Sequence, residues 1–124
     1  MLVVGSVPSG LSAAYHLARL GHEVEIRDAG AEPGGMMRYG IPAYRLPRVI
    51  LDGEIARLTE LGVRIVSGHR VEDLESERRE GRFDAVFVAV GAHLSKRVDI
   101  PRATPDGSST RSRSCAELPR ASGR

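Results

Sequence analysis

The sequence predicts an α/β fold over residues 1–101, with a parallel sheet between helical layers. Three observations carry this. A short apolar run, Leu2-Val3-Val4, leads into a turn rich in Gly, Ser and Pro and then into a helical repeat. An apolar–polar alternation from Val24 to Arg27 follows, so strand, helix and strand succeed one another at the start of the chain. Ala85-Val86-Phe87-Val88-Ala89-Val90 is continuously apolar, as a parallel strand covered on both faces should be.

The elements read in order. Leu11, Ala14, Leu17 and Ala18 recur at helical spacing, and Gly21 stands where a helix C-terminal glycine is expected. Val24 and Ile26 alternate with Glu25 and Arg27, the pattern of a strand. Between Asp28 and Pro47 regularity lapses. Gly30, Pro33, Gly34, Gly35, Gly40 and Pro42 leave no room for a long element, and a loop of this length inside a domain is usually functional. Pro47 suits the first turn of a helix whose Leu51, Ile55, Leu58 and Leu61 share one face. Its charges form a solvated face. Val63-Arg64-Ile65-Val66 is the next strand, and a charged stretch runs from there to Glu80.

Composition bounds the function. A chain of 124 residues with 41% hydrophobic and 27% charged residues is one domain, large enough to bury a core without disulfides. The single cysteine, Cys115, excludes a disulfide framework, a redox disulfide and a multi-thiolate metal or iron–sulfur site. His16, His22, His69 and His93 lack ligand spacing, so no metal is expected. No apolar run reaches membrane-spanning length and no signal segment opens the chain, which points to the cytoplasm. The net charge of +2 is uneven. Residues 102–124 hold five Arg against Asp106 and Glu117, leaving 13 basic and 14 acidic residues in 1–101. A near-neutral body and 4% aromatics argue against a nucleic-acid face. With five Ser and only Leu118 as a large aliphatic, residues 102–124 are expected to be a disordered basic tail.

The chemistry lies in the glycine turns. Gly5-Ser6-Val7-Pro8-Ser9-Gly10 joins a strand to a helix, and Asp28 ends the next strand 23 positions after Gly5. That context makes the turn a Rossmann-like dinucleotide-binding one. The first glycine forms the tight turn, the last permits close helix–strand packing, and the helix N-terminus offers N–H groups to a pyrophosphate. Asp28 would accept hydrogen bonds from a ribose diol, favouring FAD or NAD over a 2′-phosphate. Val7 departs from the pattern, standing where the middle glycine allows the phosphates to approach. Its branched side chain resists positive φ and crowds the phosphate path, so binding weakened by about 1–3 kcal/mol is expected. Alternatively it packs elsewhere, and a slightly shifted turn still binds.

The run Gly34-Gly35-Met36-Met37-Arg38-Tyr39-Gly40-Ile41-Pro42-Ala43-Tyr44-Arg45-Leu46-Pro47 resembles the flavin loop of the glutamate synthase small-subunit family. It is also similar to that of dihydropyrimidine dehydrogenase and related NAD(P)H-dependent flavoproteins. Phe83 to Ala92 resembles the strand and closing turn that end this part of their FAD domain, so the likeness spans residues 1–101 in three motifs. The resemblance implies an incomplete FAD/NAD(P)-binding three-layer fold. Gly5, Val7 and Gly10 would lie along the pyrophosphate and Asp28 at the adenosine ribose. Gly35, Met36, Arg38 and Leu46 would line the flavin side. Val71 would meet the adenine through its main chain, while Ala89 and Gly91 would close the turn. Hydride and electron transfer would belong to the flavin, so no protein acid or base is required. For Arg38 and Arg45 a flavin-edge role and a solvated loop charge stand equal; Tyr39 and Tyr44 read as packing residues.

Family members are longer, with a cysteine-rich iron–sulfur domain and an NAD(P)H domain. The expectation is therefore an FAD-binding segment that passes electrons from NAD(P)H to a larger oxidoreductase subunit or iron–sulfur protein, inactive alone. A stand-alone nucleotide-binding module completed by a partner, or a non-functional fragment, are the alternatives. The third arises from the tail. Written in codons rich in G and C and read from the third base of the Arg102 codon, it yields an aspartate-containing turn and an apolar segment. A frameshift near Arg102 is expected, the other reading being a genuine basic tail. Sequencing the gene through Arg102 and past the stop codon should reveal a shifted frame encoding more of such a flavoprotein; no such frame makes the tail real.

Overall fold

A computed structural model describes residues 1–92, and what was expected of His93 and beyond, including Cys115 and the 102–124 tail, lies outside the described residues. The chain runs β1 (Leu2–Val4), α1 (Pro8–Arg19), β2 (Glu25–Asp28), α2 (Met36–Tyr39), α3 (Arg48–Glu60), β3 (Arg64–Ser67), α4 (Leu74–Glu80) and β4 (Val86–Val88). The four strands form one parallel sheet in the order β3-β2-β1-β4, with Leu2 beside both Glu25 and Val86 and with Glu25 beside Arg64. Parallel neighbours require crossovers, and the helices supply them.

One face of the sheet carries the core. Val3 and Ile26 from the strands, flanked by Val24 and Val63, pack against Leu11 and Ala14 of α1 and Leu51, Ile55 and Leu58 of α3. These helix residues are the predicted apolar stripes, and each buried Leu, Ile or Val contributes about 1.5–3 kcal/mol. Gly21 closes α1 as expected, its N–H donating to Ala18 O while His22 N–H reaches Leu17 O. Pro47 is the N-terminal cap residue of α3 rather than a member of its first turn.

Three expectations need correction. Leu61 does not join the core: it caps α3, where the chain turns away, and is 45% exposed. The charged stretch before Glu80 contains α4, which no apolar period could signal because none of its residues is buried. Polar contacts make it instead. The Asp73 side chain accepts the Glu75 N–H at 3.0 Å, and Glu75 pairs with Arg78 and Arg79 at 2.9 Å. Those two guanidiniums pull the Glu75 carboxyl down to about 2. Finally, β4 is not covered on both faces. Among the described residues it lies at an edge of the sheet, and Phe87 and Val88 are 41% and 51% exposed. Among the described residues no helix is long and apolar enough to cross a membrane.

The core assignment can be checked by paired truncations. Ile26→Ala, at a fully enclosed position, is expected to lower the unfolding free energy by about 2–5 kcal/mol, whereas Leu61→Ala should change it by less than about 0.5 kcal/mol. Urea midpoints of the two variants measure the difference.

Candidate functional site

The carboxyl ends of β2, β1 and β4 stand side by side, and the predicted glycine turn rises from the middle one. Gly5 leaves β1 with φ +99°, its N–H donating to Arg27 O at 2.8 Å. A Cβ there would stand 2.0 Å from the carbonyl oxygen of Ala89, so only glycine fits. Gly10 is pressed as tightly: its Cβ would lie 2.1 Å from Gly5 O and 3.1 Å from the Ala89 Cβ. Gly5, Gly10 and Ala89 therefore meet, and they bring the start of α1 down onto the sheet.

That helix start is left open. Val7 occupies the cap position without a side-chain hydrogen bond, and the first turn carries no acidic residue. Pro8 has no N–H and Leu11 N–H is spent on Val7 O, so Ser9 and Gly10 hold the N–H groups that face outward from the turn. Such donors, with the positive end of the helix dipole, suit an anion. Val7 itself has φ −70° and ψ 170°, an ordinary extended conformation, so the backbone strain expected of it is absent. Its side chain is buried against Gly35, where an added Cβ would come within 2.6 Å of Val7 Cγ1.

Asp28, at the end of β2, reaches back to the same turn. Its Oδ2 accepts both the backbone N–H and the hydroxyl of Ser6, and its Oδ1 accepts Gly30 N–H at 2.7 Å. The Gly34 N–H, at the head of the second glycine loop, donates to Ser6 O and Oγ at 3.1 Å. Ser6 thus ties its own turn to the end of β2 and to the loop that follows it, more than twenty residues further along the chain. The end of β3 joins through His69 N–H to Asp28 O, 2.9 Å, and half-buried Val71 follows close behind.

Other predicted residues sit differently. Met36 begins the single-turn helix α2 and is about half exposed. Arg38 is neither free for a ligand nor simply solvated. Its Nε donates to Pro33 O at 2.6 Å, it pairs with Glu32 and Asp52, and the hydrogen bond to Asp52 holds its guanidinium above the ordinary value. Leu46 lines an apolar groove with Pro8, Leu11 and Ile50 between α1 and α3, and Gly91 lies exposed beyond β4, so neither joins the contacts above. Tyr39 holds the loop through its hydroxyl, 3.0 Å from Glu32 N, but Tyr44 is 84% exposed and does not pack. Sequence reasoning missed Ser6, Gly34 and Arg48. The last caps α2 by donating to Met37 O and Ile41 O, both at 2.8 Å. Only the position of Ser6 directly after Gly5 could have pointed to it.

Residues 3–74 match the model of the NAD(P)-binding Rossmann-like domain. The chain belongs to that family. This Rossmann-like chain is 46% identical over 99 residues to the NADP(+)-dependent formate dehydrogenase subunit beta of Moorella thermoacetica, covering 79% of the chain and 14% of that protein. It is 42% identical over 92 residues to the NAD-dependent dihydropyrimidine dehydrogenase subunit PreT of Escherichia coli, covering 72% and 22%. The glutamate synthase [NADPH] small chain of Mycobacterium tuberculosis is 37% identical over 100 residues, covering 80% and 20%. The predicted relationship to glutamate synthase and dihydropyrimidine dehydrogenase subunits therefore holds. The chain spans less than a quarter of the length of these relatives. Among solved structures, Mycobacterium tuberculosis FprA in complex with NADPH superposes with a TM-score of 0.68 at 24% identity, over 81% of this chain and 24% of that one, which shows the shared fold.

Gly5→Ala should lower the unfolding free energy by about 3 kcal/mol, from the left-handed backbone and the contact with Ala89 O together. Gly53→Ala, with open space around the added methyl, serves as the control in the same denaturation experiment.

Proposed function

We propose that this chain is the FAD-binding segment of an NAD(P)H-dependent flavoprotein oxidoreductase resembling the glutamate synthase small subunit. The observation that carries the reading is the uncapped start of α1, seated on the Gly5–Gly10–Ala89 contact with the Asp28 carboxylate beside it. This arrangement fits a dinucleotide: outward N–H groups for the pyrophosphate and a carboxylate for the adenosine ribose. Ser9 and Gly10 would hold the phosphates and Asp28 the sugar, while Gly35 and Met36 border the side on which the flavin ring would extend. FAD, when bound, supplies hydride acceptance and one-electron donation; the protein's residues bind and orient. Electrons pass from NAD(P)H to a larger oxidoreductase subunit or an iron–sulfur protein, and the segment does not turn over alone. A second reading is a nucleotide-binding module completed by a partner subunit, since relatives are themselves named as subunits.

The purified chain is expected to bind FAD, followed by quenching of flavin fluorescence, and Asp28→Ala should weaken that binding about tenfold. Val7→Gly should leave the affinity within about twofold, because the valine side chain is buried against Gly35 rather than over the helix start. A gain of about tenfold would show that it crowds the phosphates after all. Flavin held only with a co-expressed oxidoreductase subunit would favour the second reading.

A further inference from the structure

Ser6 is fully buried, and its hydroxyl is bonded on two sides. The Gly34 N–H can only donate and the Asp28 carboxylate only accepts, so the single hydroxyl hydrogen must point at Asp28 Oδ2. The Ser6 backbone N–H donates to that same oxygen. Among the described residues Oδ1 receives only the Gly30 N–H, which leaves the remaining accepting capacity of the carboxylate on Oδ1. Two donors on one oxygen and one on the other fix the rotation of the carboxylate plane. The turn does not need a hydroxyl for this contact to exist, since the backbone N–H already reaches Asp28. The hydroxyl adds orientation, and it ties that orientation to the second glycine loop through Gly34.

We propose that Ser6 is a positioning residue for sugar recognition: its hydroxyl sets Asp28 so that Oδ1 meets the vicinal diol of an adenosine ribose. The inference rests on the nucleotide-binding reading above and adds to it the side chain that orients the acceptor. A serine acting only in the fold would affect every adenine nucleotide alike. A serine acting through Asp28 affects only nucleotides that carry the diol.

Calorimetric titration of the full chain with ADP and with 2′-deoxyadenosine 5′-diphosphate separates these roles. The wild-type protein is expected to bind ADP about tenfold more tightly than the deoxy form. Ser6→Ala should bring that ratio close to one with little change in affinity for the deoxy nucleotide, and Ser6→Thr should restore it. Should the alanine variant not fold, Ser6→Cys keeps the volume with a weak donor and reads the same ratio. A ratio that survives the loss of the hydroxyl overturns the proposal, as does a wild-type ratio of one with binding intact. Failure of the wild-type chain to bind either nucleotide overturns the nucleotide-binding reading itself.

Discussion

A methyl carbon placed on Gly10 would lie 2.1 Å from the carbonyl oxygen of Gly5, and one placed on Gly5 would lie 2.0 Å from that of Ala89. On this pair of contacts the placement of α1 depends. Because the helix begins so close to the sheet, its first turn opens directly over the carboxyl ends of β1 and β4. Its next turn carries Leu11 and Ala14 into the core with Val3 and Ile26. The same approach therefore packs the interior and presents N–H groups at the rim that have no partner among the described residues. A larger residue at either glycine would displace both together, since a helix moves as a rigid body whereas a side chain can turn aside.

The two faces of the sheet meet opposite physical demands. The face toward α1 and α3 is held by apolar burial. On the other, Glu25 is almost fully buried, and its carboxylate pairs with Arg27 and Arg64. Arg27 also pairs with Glu77 and lies 5.3 Å from the ring of Phe83, while His69 meets Glu77 at 2.8 Å. The buried Glu25 carboxylate has two guanidinium partners, so it keeps one when either Arg27 or Arg64 is removed. This network joins β2, β3 and α4, and so steadies the end of β3 that is bonded to Asp28 through His69 N–H. The polar face supports the site from behind without belonging to it.

Elements built on apolar period were legible from residue order: α1, α3 and the strands around Val3, Ile26 and Ile65 all appear where the spacing puts them. Gly5, Gly10 and Asp28 were legible as well, because a tight turn, a close approach and a strand-end acid each require a particular residue type at a particular place. What escaped was held by polar side chains whose partners are distant or off-period. Helix α4 rests on the Asp73 cap and the Glu75 pairs, and hydrophobic spacing carries no trace of either. Arg38 reads equally as a flavin-edge residue or a loop charge and Arg48 as one charge of a solvated helix face, but each donates to backbone carbonyls of the second glycine loop. The exposure of β4 follows from its place at the sheet edge, which an apolar run does not specify. At Val7 the glycine rule assumes a positive φ, but the turn places its positive φ at Gly5 and runs extended through Val7.

The site is assembled from three stretches that the chain keeps apart: Ser6 and Gly10 in one turn, Asp28 at the end of β2 with Gly34 in the loop beyond, and Ala89 past β4. None of these holds its place by local structure alone. The Asp28 carboxylate is oriented by the turn, the turn is seated by Ala89, and the second glycine loop hangs from Ser6. Their geometry is therefore available only when the parallel sheet has formed, and the unfolded chain has no equivalent. Any ligand that takes up the open N–H groups of α1 and the free side of Asp28 must stabilise the fold by mass action, by about 2.7 kcal/mol at a hundred times its dissociation constant. Against the roughly 5–15 kcal/mol by which domains are ordinarily stable, that increment is a substantial fraction. Binding and folding here draw on the same contacts, and the glycine turn belongs to both.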